Sequence, residues 1–370
     1  MKNLLIILIF SLACLSLTGC NNENKSKNDN SVSVNKQYRE ITDMAGRKVT
    51  IPVNADKIYS TGQPGAIMLY TTAPDKLLGW CLELTDAEAE YIEPKYIGLP
   101  VLGLMQGSND SASREEIIKR NPDVIFTVTT VDKTTIKQAD ELQELLGIPV
   151  VMGDIKLENL PNCYELTGKL TGEINRAKTL SDYCTKTITE AKKIKEKIPQ
   201  NQRKKIYYAQ GSNGLQTAAK GSAHMEVIEL VGGESVIDTK ETLYGKVSVN
   251  MEQVLTSDPE VIIVSYSMGH TDMQGEEIFQ MMSKGQEAWQ NVRAVKNKDI
   301  YVTPCLPYNW LDIPPSANRI IGIPWLGNLL YSDYYELDIE KTTREFYKLF
   351  YRVDLTEKQL SELLSGAKKK

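Results

Sequence analysis

The side chains best able to do chemistry are few and widely spaced. The sequence holds two histidines, His224 and His270. Two imidazoles in one cleft could complete the coordination of a metal. His224 opens a helical stretch, where a polar group also serves solvent or backbone, and His270 lies in a glycine-containing loop after a strand. No third ligand at useful spacing points to a bare-metal site. Cys81, Cys163, Cys184 and Cys305 lack the close spacings of zinc or iron–sulfur motifs. A Cys81–Cys305 disulfide across a cleft stays open, whereas Cys163 and Cys184 fall on one expected helix, about 30 Å apart and unable to bridge. Arg319, just after Pro314-Pro315, could clamp an anion with two parallel hydrogen bonds or form a structural ion pair. An enzyme would need cluster-binding cysteines or a convergent acid–base pair, and neither is apparent. No cofactor is expected.

The elements that must position these groups come from a near-duplication. Ser113-Arg114-Glu115-Glu116-Ile117-Ile118 leads into Asn121-Pro122-Asp123-Val124, and Asn250-Met251-Glu252-Gln253-Val254-Leu255 leads into Asp258-Pro259-Glu260-Val261. Each copy opens with a capping residue followed three positions later by Glu or Gln, which can satisfy the first free amides of a helix. Proline stops the short helix, since the residue before it avoids helical angles. A β-rich run follows each stop, Val124–Val128 and Val261–Ser265. Further short strands are expected at Lys57–Ser60, Ile148–Val151, Lys205–Tyr208 and Asp299–Val302. Helical stretches between them imply an α/β fold of two Rossmann-like lobes with mostly parallel sheets. Between the copies, Leu166, Leu170, Ile174, Ala177, Leu180, Cys184, Ile188, Ala191, Ile194 and Ile198 recur at helical spacing. Pro161 suits a first turn and Pro199 a stop. One helix over 161–198 would be about 55 Å long, enough to join the lobes. A break near Gly172, giving two shorter helices, is the alternative.

The amino-terminal residues speak to location. Lys2 precedes an apolar run from Leu4 to Leu17, shorter than the roughly 20 residues of a spanning helix. Leu17-Thr18-Gly19-Cys20 resembles a bacterial lipobox, which implies cleavage before a lipidated Cys20. The polar residues after it suit a flexible tether. Composition is otherwise globular, with 41% hydrophobic and 25% charged residues and a net charge of −5. Nucleic-acid binding is unsupported. The expected organisation is a signal peptide (1–19), lipidated cysteine and tether (20–37), amino-terminal lobe (38–158), spine helix (159–199) and carboxyl-terminal lobe with closing helices (200–370).

Taken together, lipobox, tether, two lobes and one spine helix resemble the class III substrate-binding proteins that serve ABC importers of iron–siderophores, haem and corrinoids. Ile41–Ile51 is similar to that family's opening strand pair, Asp75–Gly79 to its next strand, Val231–Glu234 to a helix end, and Glu345–Tyr351 with Asp354–Thr356 to its closing helices. The resemblance implies that Glu115 and Glu252 dock on a permease, although both would also favour the positive end of a helix dipole. It implies a cleft lined by loops at strand ends, with Gln63, Trp80, Gln106, Tyr208, Lys220, His224, Tyr244, Tyr266, His270, Tyr308, Trp310 and Arg319 as candidate ligand contacts. Lys246 adds a further cation. Packing roles compete: Tyr208 behind its strand, Trp310 over the Pro314-Pro315 turn. Aromatic walls with a few cations suit a bulky, partly anionic metal chelate. The implied protein is a monomeric, lipid-anchored, extracytoplasmic receptor for a ferric siderophore or related chelate, working with an ABC permease and its ATPase. Corrinoid, haem or a small oxyanion such as molybdate at helix amino termini are the alternative ligands. A surface receptor, or an enzyme of the nitrogenase or chelatase kind, are the alternative classes.

Overall fold

Two short capped helices, each feeding a buried strand, organise the protein. The structure is a computed structural model and describes residues 37–105, 110–237, 246–265, 275–285 and 287–367. Cys20, Gln106, Tyr244, Tyr266 and His270 lie outside the described residues. Residues 37–370 form one compact unit.

The first half opens with the antiparallel hairpin β1 (Tyr38–Thr42) and β2 (Lys48–Pro52), where the opening strand pair was expected. A parallel sheet follows, ordered β3 (Ile58–Ser60), β4 (Val124–Thr129), β5 (Val150–Asp154). In the second half β6 (Lys205–Ala209) lies beside β8 (Glu234–Ser235) and β10 (Val261–Val264), and β11 (Ile300–Val302) flanks β10, all parallel. Strands β7 (Gln216–Ala218) and β9 (Lys246–Ser248) pair separately and antiparallel. The fold is therefore α/β with mostly parallel sheets in two halves. Val124 to Val128 and all of β10 are buried, as strands covered on both faces require. The stretch Asp75–Gly79, expected as a strand, contributes only a bridge between Leu77 and Ile58 after a 3-10 turn.

The repeat forms as read. Helices Arg114–Arg120 and Met251–Ser257 each begin on a side-chain cap and end in a left-handed residue, Asn121 (φ 50°) and Asp258 (φ 45°). Their caps differ. Asn250 and Gln253 exchange both bonds at 2.8 Å, whereas Ser113 only receives the Glu116 amide, and Glu116 turns to Arg120 at 2.8 Å.

The spine is the 24-residue helix Ile174–Lys197. Its expected beginning is a separate helix, Leu160–Thr171, so a single helix over 161–198 does not form. Gly172 ends the first helix at φ +84°, a conformation that costs glycine little. The two helices pack on each other, and a methyl at Gly168 would come within 2.4 Å of Ala177 Cβ. Periodicity misled here because both helices bury faces that continue one another in sequence, although the chain turns between them. The long helix still meets both halves, touching helix Gln63–Thr72 in the first and helices Glu226–Leu230 and Arg319–Leu330 in the second. Cys163 and Cys184 thus stand on two packed helices, both buried and free, with thiol pKa values pushed up by burial. Cys81 and Cys305 are also buried, and the disulfide between them does not form.

Candidate functional site

Parallel sheets put their loops, and so their chemistry, at the carboxyl ends of the strands. At that edge of the first sheet, Thr61 follows β3 and donates to Thr127 Oγ1 of β4 at 2.9 Å. Helix Gln63–Thr72 starts immediately after, with Gly62 as its first flanking residue. No side chain caps this helix and its first turn carries no acidic residue, so its positive end is left for another acceptor.

The corresponding edge of the second sheet is built around a buried carboxylate. Asp312 is fully buried. The Tyr208 hydroxyl donates to its Oδ1, the Gln210 amide donates to Oδ2 at 2.9 Å, and His224 Nδ1 lies 2.9 Å from the same Oδ2. Tyr208 also reaches Ser265 Oγ, just past β10, at 3.1 Å. The loop is folded by Asn309, whose Oδ1 accepts the amides of Leu311 at 2.7 Å and Asp312 at 3.2 Å. Burial, then the Asp312 charge, holds the Tyr208 hydroxyl well above its ordinary pKa. It therefore acts as a fixed donor. Asp312 thus fixes the His224 ring through Nδ1, and Nε2 is the nitrogen that this contact does not use. The His224 side chain is 19% exposed, the one member of this network with an edge toward solvent. Among the described residues, no group of three His, Cys, Asp or Glu side chains is placed to hold a metal ion.

Between the halves lies a cavity of about 10 Å³, lined by Gln63, Trp80, Glu83 and Glu88 from the first half and Tyr308 from the second. That is room for roughly one water. Of the expected ligand contacts, the structure brings Gln63, Trp80 and Tyr308 together here. Trp80 and Tyr308 are nonetheless buried, and the Trp80 indole donates to Tyr96 O at 2.8 Å.

Three expected contacts are committed elsewhere. Trp310 is fully buried, donates to the Tyr347 hydroxyl at 3.0 Å and meets Trp325 edge-on, so it is core. Tyr208 is core too, apart from its bond to Asp312. Arg319 takes the structural alternative. Its guanidinium is fully buried, pairs with Glu226 at 2.6 Å and donates to Ile155 O just past β5. Glu226 in turn accepts the Leu157 amide at 2.9 Å. This pair ties the two halves together. Burial lowers the Arg319 pKa and raises that of Glu226 in spite of their mutual attraction, so desolvation outweighs the pairing. Lys220 faces a different recess, with Lys195 and Arg203. Glu115 and Glu252 are both exposed in the first turns of their helices.

Asp312 was missed from the sequence. Its signal was present: a single carboxylate inside the apolar, proline-rich run Leu306–Pro315. A charge there must be paired, but nothing local says with what.

The chain is similar to known proteins along most of its length. The family model described as periplasmic binding protein matches residues 158–305. The molybdate-binding protein MolA of Haemophilus influenzae is 24% identical over 340 residues, which is 85% of this chain and 91% of its own. The high-affinity haem uptake system protein IsdE of Staphylococcus aureus is 24% identical over 65% of this chain and 77% of its own. Among solved structures, an ABC transporter solute-binding protein of Sulfurospirillum deleyianum superposes with a TM-score of 0.78 at 29% identity, covering 88% of this chain and 99% of that one. MolA bound to molybdate shares the fold with a TM-score of 0.68 at 21% identity, over 86% of this chain and 99% of its own.

Proposed function

We propose that the chain, which is similar to periplasmic binding proteins and to ABC-transporter solute-binding proteins, binds a ferric siderophore or related metal chelate outside the cytoplasm and delivers it to an ABC permease and its ATPase. It performs no chemistry. Its work is differential affinity between open, loaded and docked states.

The observation that carries the ligand class is His224 held by buried Asp312 at the carboxyl edge of the second sheet. A carboxylate–histidine pair of this kind orients an imidazole, as it does for histidines that ligate metals. His224 Nε2 then fills a position left open by an incomplete chelate. Gln63, Trp80 and Tyr308, which line the small space between the halves, are proposed to meet the cargo when the halves part. His270, Tyr244, Tyr266 and Gln106 belong to the same proposed contact set.

A second reading, a small oxyanion such as molybdate, is favoured by the uncapped positive end of helix Gln63–Thr72 at the cleft and by the similarity to a molybdate-binding protein along most of the chain. Titration of intrinsic tryptophan fluorescence with ferric siderophores, haem, cobalamin and molybdate separates them. We expect quenching by at least one chelate. A response to molybdate alone would transfer the assignment.

Glu115 and Glu252, at equivalent places in the two repeat copies, are the proposed permease contacts, since a two-fold permease suits two matched carboxylates. Cys20 is the proposed lipid attachment point, and the receptor is proposed to act as a monomer. Cys20→Ser should shed the protein into the medium, whereas retention on membranes would remove the anchor.

A further inference from the structure

A second recess lies away from the cleft, at the amino-terminal side of the second sheet, with a volume of about 330 Å³. Its wall is made by Lys195 near the end of the long helix, Arg203 just before β6, Lys220, Glu229 and the Gly232–Ser235 segment leading into β8. We propose that this recess binds a phosphate group.

The charges are arranged for an acceptor that the chain itself does not provide. The Arg203 Nε is buried without a hydrogen-bond partner. Neither Arg203 nor Lys220 forms an ion pair among the described residues. Lys195 donates only to a neutral group, the Glu229 carbonyl, at 2.7 Å. Burial, and then the Arg203 charge, pulls the Lys195 pKa below its ordinary value, which places the two cations close enough to repel. The two carboxylates in the wall are partly engaged elsewhere: Glu229 accepts the Gly221 amide at 2.9 Å and Glu234 accepts the Gln200 side chain. An anion seated between Arg203 and Lys195 would relieve their repulsion and satisfy the orphan donor. The planar guanidinium fork fits two oxygens of a tetrahedral phosphate, with lysines as point charges. The volume exceeds that of inorganic phosphate alone, so a phosphate ester also fits. The source is either a free phosphate compound or the phosphodiester of a membrane lipid, close at hand for an anchored protein.

The site is independent of the cargo in the cleft. The test uses the full chain in neutral detergent micelles, titrated with inorganic phosphate, with glycerol phosphate, and with micellar phosphatidylglycerol against phosphatidylcholine. Thermal unfolding and phosphorus NMR line widths report binding. Stabilisation by the soluble phosphates identifies a free ligand, and stabilisation by phosphatidylglycerol alone identifies a headgroup. In either case Arg203→Gln should weaken binding about tenfold or more, with Arg203→Lys intermediate and both variants melting normally without phosphate. Fluorescence titration of the cleft should be unaffected by either substitution. No response to any phosphate, or a response that Arg203→Gln leaves intact, overturns the proposal.

Discussion

The two halves carry the same supporting unit and opposite chemistry. In both, a capped seven-residue helix ends in a left-handed residue and feeds the buried strand of a parallel sheet. At the carboxyl edge they part. The first half offers neutral donors: paired threonine hydroxyls and an uncapped helix end. The second offers a buried carboxylate with Tyr208, Gln210 and His224 gathered on it. Repetition suits a task done twice, such as meeting a two-fold partner. Divergence suits a task done once, such as gripping an asymmetric cargo.

The strongest way to break this comparison is charge reversal at both repeat glutamates. Glu115→Lys with Glu252→Lys should abolish uptake of the transported solute in cells while leaving solute affinity intact. Each single variant should lose a similar part. If one alone abolishes uptake and the other does nothing, the copies are not equivalent.

Next comes the join between the halves. Arg319→Ala leaves Glu226 buried without its partner and removes the bond to Ile155 O, so denaturant unfolding should show a loss of about 3–5 kcal/mol. Lys137→Ala, in the first half, removes only the exposed ion pair to Glu141. It should cost about 0.5 kcal/mol or less. Equal losses would mean that the join is no tighter than the surface.

His224→Ala probes the divergent edge. Solute affinity should fall about 10–100-fold, and stability by about 1–3 kcal/mol because the buried Asp312 carboxylate loses one of its partners. Unchanged affinity would remove His224 from the site. The smallest effect concerns the caps. Asn250→Ala should cost about 1 kcal/mol in thermal or denaturant unfolding, and Ser113→Ala less, because only the second copy exchanges both capping bonds.

The fold was legible because its signals are local. Caps, proline stops and runs of β-branched residues fixed the strands β3, β4, β6, β10 and β11 and both repeat helices to within a few residues. The spine was legible in part. Gly172 marked the break, but helical spacing continues across it, since buried faces of two packed helices look like one face of a longer helix. The candidate site was less legible. Residue type could nominate Trp80, Tyr308, Tyr208, Trp310 and Arg319, but an aromatic ring suits a core as well as a cleft, and an arginine suits an ion pair as well as an anion.

By itself, the sequence determined most of the parallel strands, the duplicated helices and the α/β class, because capping, proline sterics and strand propensity act over a few neighbouring residues. Only the tertiary structure decided that Arg319 pairs with Glu226, that Trp310 is core, that the chain turns at Gly172, and that Asp312 collects Tyr208, Gln210 and His224. Those outcomes join residues as many as 104 positions apart. Which partner a buried charge finds depends on where the whole chain has brought the other donors, and no local pattern encodes that.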